Sequence, residues 1–236
     1  MLSDGTKAMK TTNPSTRTGE TERFTYGPPK DAEEFARMLA IARDTYLMTP
    51  ELAQRYGTMQ GMENFRTVRL NDSANGAEAS PTNAGSLTLI HMGQHFGGRS
   101  VPTVGVGAVC VSPEHRAGGA ASFMMRSTIL EAHAKGIPLS TLYPATLKLY
   151  RSVGYQQAGS RHEIKVPLGE VNIDERGLHV RPLIDTDQPS IRALQHARAR
   201  QSNGTLDRNE VMWKLSLIHI SEPTRLRRIS YAVFCL

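Results

Sequence analysis

The sequence predicts an α/β fold, and three observations carry the prediction. Two consecutive segments, starting at Asp31 and Thr49, join helix-capping signals to apolar residues at helical spacing. From Asn64 to Val111 the apolar period shifts toward two and is broken by glycine turns. From Val104 to Lys135 a strand runs through a glycine-rich turn into a helix.

Met1 to Glu22, rich in Thr, Ser, Gly and Lys without apolar periodicity, reads as a disordered leader. A short strand is expected over Arg23–Tyr26, ended by Gly27-Pro28-Pro29. Asp31 with Glu34 three residues on has capping-box spacing, and Phe35, Met38, Leu39, Ala42 and Tyr46 give that helix an apolar face. Thr49-Pro50-Glu51 places a cap before a proline at the first helical position, with Leu52 and Tyr56 on the buried side. Val68 and Leu70 alternate only imperfectly with Arg66 and Arg69. Asn71–Gly85 reads as a flexible hairpin loop. Strands are then expected over Ser86–Met92 and Arg99–Val111, joined by a turn at Gly97-Gly98. Strict alternation in the second puts Val104, Val106, Ala108 and Cys110 on one face and Val109 and Val111 on the other. Gly105 and Gly107 hint at a bulge or close backbone approach. The following helix, with a stripe of Ala121, Met125, Ile129 and Ala132 and an outer Glu131–Lys135 pair, ends at Gly136 before a strand over Ile137–Leu142.

The 236 residues carry 28 Lys and Arg against 22 Asp and Glu, a net charge of +6. Leu215–Arg225 (Leu-Ser-Leu-Ile-His-Ile-Ser-Glu-Pro-Thr-Arg) resembles the translation of a transposase-type sequencing adapter, and Ile229–Leu236 resembles its distal end. The expectation is that 215–236 is adapter read-through and that the natural gene continues past Lys214. Setting aside Arg225, Arg227, Arg228 and Glu222 leaves 25 basic against 21 acidic residues, or +4. The basic residues are dispersed and aromatics make up 6%, so no nucleic-acid partner is expected. No apolar run reaches the roughly 18 residues of a membrane helix and no secretory signal leads the chain, so a cytoplasmic protein with no membrane partner is expected. Cys110 and Cys235 make no disulfide framework. No metal site is expected: His91 and His95 are four apart, but on a strand and turn. Cys110, on a buried strand, reads as inert rather than nucleophilic.

The chemistry-bearing segment is Ser112-Pro-Glu-His-Arg116-Ala-Gly-Gly119-Ala-Ala-Ser122, between strand and helix. Small residues there let an anion approach the backbone, and unpaired N–H groups at the helix start face it. The P-loop pattern G-x-x-x-x-G-K-[ST] and the dinucleotide pattern G-x-G-x-x-G are both absent. Arg116-Ala-Gly-Gly119-Ala-Ala121 has the form R-x-x-G-x-A. With Val109–Arg116 before it, it resembles the acyl-CoA signature of GCN5-related N-acetyltransferases (GNAT). Leu142-Tyr-Pro-Ala-Thr-Leu-Lys-Leu-Tyr150-Arg-Ser-Val-Gly154-Tyr155 resembles that family's second signature, a helix with a tyrosine four residues before Gly-aromatic. Met48–Ala53, Gly93–Arg99, the Pro-Glu-His-Arg loop and Tyr143–Thr146 resemble the enhanced-intracellular-survival (Eis) type.

The resemblance covers Phe24–Lys214 and implies a central mixed, mostly antiparallel sheet flanked by helices. A GNAT domain is expected over 23–167, a linker over 168–177 and a truncated start of a second GNAT-like domain over 178–214. The resemblance implies that the Eis-type third domain, whose terminal carboxylate serves as general base in that family, is expected to fall outside this sequence. The implied activity is transfer of acetyl from acetyl-CoA to a primary amine by direct attack. The acceptor is a small molecule, such as an aminoglycoside or polyamine, or a lysine side chain. Val109, Cys110 and Val111 would pair with the pantetheine arm. Ala117, Gly118, Gly119, Ala120, Ala121 and Ser122 would hold the pyrophosphate, with Arg116 at the loop entrance. Ala145 and Thr146 would lie by the thioester, and Tyr150 would donate a proton to the departing sulfur. Homo-oligomerisation of the full-length protein stays open, and a non-catalytic acyl-CoA-binding module is the alternative. Glu33, Glu34, Asp44, Glu51 and Glu63 fall in the region that lines the acceptor cleft of such folds, an acidic wall suited to a polycationic amine.

Overall fold

The structure, a computed structural model, describes residues 23–71, 82–160, 164–170, 177 and 181–214. The expected leader, most of the polar loop and the adapter-like tail lie outside the described residues. The elements are β1 (Phe24–Gly27), α1 (Ala32–Tyr46), α2 (Pro50–Gln60), β2 (Phe65–Leu70), β3 (Asn83–Phe96), β4 (Arg99–Val111), α3 (Ala120–Ala134), β5 (Leu139–Leu142), α4 (Leu147–Ser152), α5 (Gln188–Arg200) and β6 (Leu206–Asp207). The sheet runs in the order β1-β2-β3-β4-β5. All pairs are antiparallel except β4 with β5, and β6 pairs with β3 at Gly93 and Gln94. This is the mixed, mostly antiparallel sheet flanked by helices that the sequence predicts.

Local signals explain the helix starts. The Asp31 side chain accepts from Glu34 N at 2.7 Å, and Thr49 caps α2 by accepting from Leu52 N. The Glu34 carboxylate reaches back to Lys30 N rather than to the cap residue itself. Both helices then lay their apolar faces on one side of the sheet. Met38, Leu39, Tyr56, Phe65 and Ala108 form one buried cluster there. On the other side α3 buries Ala120, Phe123, Met124 and Met125 against Phe24, Val68, Leu87, Val104 and Val106. The expected stripe on α3 is therefore displaced: Ala121 and Ile129 are only half-buried, and the innermost line runs through Ala120, Met124 and Thr128.

With helices on both faces, β2 has no solvent side, which is why its alternation looks imperfect in the sequence. Each buried arginine is neutralised from the helix it faces. Arg66 makes a bidentate pair with Glu131 of α3, at 2.6 and 2.8 Å. Arg69 does the same with Glu34 of α1, again at 2.6 and 2.8 Å, and Asn83 adds a bond at 3.0 Å. Burial pushes both carboxyls up, but these hydrogen bonds win and hold Glu34 and Glu131 at about 2. Glu131 also accepts from Lys135 and from the Tyr26 hydroxyl, so it is a hub rather than half of a surface pair.

β3 starts at Asn83, inside the segment expected to be a loop, because Asn83 is tied to Glu34 and Thr67. Its register with β4 slips between Ser86 and Thr88, which oppose Cys110 and Gly107. Two steps on β3 thus match three on β4, and the extra residue is a bulge with Ala108 at φ 49°. The bulge overturns the expected faces of β4. Val109 and Val111 pack with Val104 and Val106 on the α3 side, while Ala108 turns to α1 and α2. Gly85 lets the bulge close: a Cβ there would lie 2.5 Å from the Cys110 carbonyl oxygen. Gly85→Ala is expected to cost about 1–3 kcal/mol. An unchanged melting temperature would reject this close approach.

Candidate active site

Two neighbouring features of the chain end of β4 make the candidate site. The first is an open strand edge. β5 pairs with β4 only from Thr103↔Leu139 to Val106↔Leu142 and then ends. Among the described residues, Gly107–Val111 have β3 as their only strand partner. Ser112 N bonds back to Ala84 O, so alternation turns the backbone groups of Val109 and Val111 away from β3. Two side chains already meet that edge. The Tyr46 hydroxyl donates to the Val109 carbonyl at 3.0 Å, and Arg116 Nε donates to the Val111 carbonyl at 3.3 Å.

The second feature is the turn into α3. A short 3-10 segment, Pro113–His115, leads to Arg116. Ala117 at φ 61° and Gly119 at φ 92° then reverse the chain. Gly119 is the N-cap and offers no side-chain cap, so the first N–H groups of α3 face outward beside the exposed Arg116, Ala117 and Gly119. Only Gly119 at this turn needs its missing side chain, for the left-handed cap. Arg23 steadies the loop by donating to the Gly118 carbonyl.

Past the end of β5 the chain enters α4. Ala145 and the N-cap residue Thr146 are exposed, and Thr146 makes no side-chain cap bond. Tyr150 is buried, 7% exposed, packed on the α3-side core and edge-on to Tyr155 at 6.2 Å. Its hydroxyl makes no hydrogen bond to the described residues. Burial raises its pKa, and Tyr155 adds to the rise. Tyr46 is raised too, first by burial and then by the nearby Cys110, Tyr150 and Tyr56. Tyr46 thus links two of the candidate segments: its hydroxyl bonds to the Val109 carbonyl of β4, and Tyr150 of α4 lies near enough to contribute to its raised pKa. Tyr46 was read from the sequence only as part of an apolar helix face; its position at the last turn of α1, before the left-handed Leu47, carries no further signal. Cys110 is buried, bonded to Ser86 at 3.2 Å, and pushed up by burial, so it is no nucleophile.

The acidic wall does not assemble as expected. Glu34 is buried in its pair with Arg69, Glu33 pairs with Arg37, and Asp44 pairs with Arg43. Deeper, beside Gly107, the Tyr56 hydroxyl and the Thr88 hydroxyl are buried without hydrogen-bond partners among the described residues, as is Thr141 opposite Gly105. Burial pushes the Tyr56 phenol up to about 12.

An open strand edge beside a helix N-terminus without a side-chain cap marks the end of β4 in this α/β domain. The chain matches the family description "Acetyltransferase (GNAT) domain" over residues 29–158. It belongs to that family. Among solved structures it is similar to a GCN5-related N-acetyltransferase from Anabaena variabilis, with 31% identity, a TM-score of 0.70, and coverage of 81% of this chain and 47% of that one. It is similar in fold to Eis1 from Mycobacterium abscessus, with 15% identity, a TM-score of 0.55, and coverage of 85% and 49%. The chain thus spans about half the length of both. No curated protein matches it significantly. No helix among the described residues is long and apolar enough to cross a membrane.

Proposed function

We propose that this chain is the acetyl-CoA-binding part of a cytoplasmic N-acetyltransferase that acetylates a primary amine. The observation that carries the reading is the adjacency of the open Gly107–Val111 edge to the uncapped start of α3. Acetyl-CoA fits these residues by chemistry. The N–H groups of Ala120, Ala121 and Ser122 and the small Ala117, Gly118 and Gly119 suit a pyrophosphate, and Arg116 adds a cation. Val109 and Val111 offer backbone N–H groups to a pantetheine arm, their carbonyls being taken by Tyr46 and Arg116, while the backbone groups of Cys110, also expected there from the sequence, turn to β3 instead. When bound, acetyl-CoA supplies an activated acetyl thioester. Ala145 and Thr146 flank its reactive end, and free strand N–H groups near the bulge are placed to hold a developing oxyanion.

Tyr150 holds its proton toward the departing sulfur. With its pKa raised, complete transfer to a thiolate near 8.5 is uphill by more than about 2 kcal/mol. The residue therefore acts as a hydrogen-bond donor rather than a full acid. The Eis-type assignment rests on the Met48–Ala53, Gly93–Arg99 and Tyr143–Thr146 motifs. The acceptor is a primary amine of the aminoglycoside, polyamine or lysine kind, with Glu51 and Glu63 the exposed acidic residues left unpaired by the helices. The same reading keeps 23–167 as the acyl-CoA domain, 168–177 as linker, 178–214 as the start of a second unit and 215–236 as adapter read-through.

Calorimetry with acetyl-CoA tests the cofactor assignment. One site is expected, and Arg116→Ala should weaken it about tenfold, the worth of a charge-assisted bond. Absence of binding by folded protein rejects the reading. Because the chain spans half of its relatives' length, binding without turnover on any amine by the full-length protein would favour the non-catalytic module.

A further inference from the structure

At the opposite end of β3 from the candidate active site, three metal-ligating side chains converge that the acetyl-transfer reading does not use. His95 on β3, His196 on α5 and Asp207 on β6 each offer one ligand atom, and those atoms lie within 4.8 Å of one another. The two imidazoles stand edge to face, with centroids 5.6 Å apart and planes at 77°. His95 is 2% exposed, and its Nδ1 is buried with no hydrogen-bond partner. None of the three side chains makes a hydrogen bond or ion pair to the described residues. A buried imidazole nitrogen left unpaired is destabilising, so its retention beside a second imidazole and a carboxylate calls for a partner.

The backbone around the three residues is held firmly. His95 N donates to Thr205 O and Gly204 N donates to His95 O, both at 2.8 Å. Gln94 Nε2 donates to Gly204 O at 2.8 Å, and Asn203 Oδ1 accepts from Gly97 N. Asn209 Nδ2 donates to the His91 carbonyl at 2.7 Å. Gly93 makes the approach of β6 feasible, since a Cβ there would fall 2.9 Å from the Asp207 Cβ. Only the side chains need adjust: donors at 2.0–2.2 Å from a tetrahedral ion stand about 3.4 Å apart, and exposed His196 is free to close that gap.

We propose that His95, His196 and Asp207 form a site for a divalent transition-metal ion of the zinc class, which fastens α5 and β6 to the end of β3. Two imidazoles with one carboxylate suit zinc and its neighbours rather than magnesium or calcium, which take oxygen ligands. A water completes the coordination. His95 is nine residues from Ser86 along the same strand, about 30 Å, so the ion is structural and takes no part in the acetyl-transfer site.

The test is calorimetry of the full chain, free of any affinity tag and stripped with a chelator, titrated with Zn2+ alone. One ion per chain is expected, and saturation at 100-fold excess over Kd should raise the melting temperature by about 5–10 °C. His196→Ala, at an exposed position, and Asp207→Asn should each weaken binding at least tenfold, while His91→Ala leaves it unchanged. Co2+ in place of Zn2+ should show visible bands of nitrogen and oxygen ligation that His196→Ala abolishes. No binding by the folded chain, or binding indifferent to both His196→Ala and Asp207→Asn, overturns the site.

Discussion

Tyr150→Phe is expected to lower kcat about 100-fold in the full-length enzyme while acetyl-CoA affinity stays within about twofold. The phenyl ring keeps the packing against Tyr155 and the α3-side core, so stability changes little. What is lost is the hydroxyl that the proposed function assigns as donor to the departing sulfur. The raised pKa adds a second expectation. A phenol above its ordinary value stays protonated through neutral pH, so Tyr150 should contribute no alkaline fall in kcat between about pH 7 and 9. An alkaline limb in that range, present in the natural enzyme and absent from Tyr150→Phe, would contradict a raised pKa. An unchanged rate at all pH values would return Tyr150 to the core as a packing residue.

The elements were legible wherever local chemistry decides them. Asp31 and Thr49 cap their helices, Gly97 and Gly98 turn β3 into β4 with positive φ at both, and Arg99–Val111 is one strand end to end. The faces of β4 were not legible. Strict alternation assumes one residue per step, and the single extra residue at Ala108 moves Val109 and Val111 to the α3 side. Glycines at 105 and 107 signalled an irregularity without saying which residue takes the left-handed conformation. The partners of the charged residues were also out of reach. Glu34 meets Arg69 across 35 residues and Glu131 meets Arg66 across 65, so spacing along one helix could not show that two apparent surface acids are buried anchors. The same distance rule hid the histidine pair. His91 and His95 are neighbours in sequence but lie on a strand with His91 exposed, whereas His95 finds His196 and Asp207 more than 100 residues on. The turn from β4 into α3 was legible as a turn, because small residues and a helix start announce it directly.

Arg69→Met is expected to destabilise the chain by about 3–5 kcal/mol, the largest loss of any single change considered, because it strands a buried carboxylate. Glu34 is 2% exposed and keeps only Asn83 and Lys30 N as partners once the guanidinium is gone. Replacing both members, Glu34→Leu with Arg69→Met, should cost far less, since the charge and its desolvation leave together. The pH dependence fixes the sign. In the folded protein Glu34 titrates at about 2 against an ordinary value of 4.5. Between those values the unfolded chain binds the extra proton, so stability rises with pH there. The contribution, about 3 kcal/mol at 1.36 kcal/mol per pH unit, is fully present above about pH 5 and lost as pH falls toward 2. Glu131, also at about 2, contributes in the same direction through Arg66. Denaturant melts between pH 3 and 7 should therefore show a steep acid loss in the natural chain and roughly half that slope in the Arg69→Met, Glu34→Leu pair. In Arg69→Met alone the buried carboxyl is pushed above its ordinary value, so its contribution changes sign: stability falls as pH rises from about 4 to 7. If Arg69→Met instead keeps the acid dependence of the natural chain, Glu34 is not held by Arg69, and the account of β2 as a strand buried on both faces and neutralised from both sides fails with it.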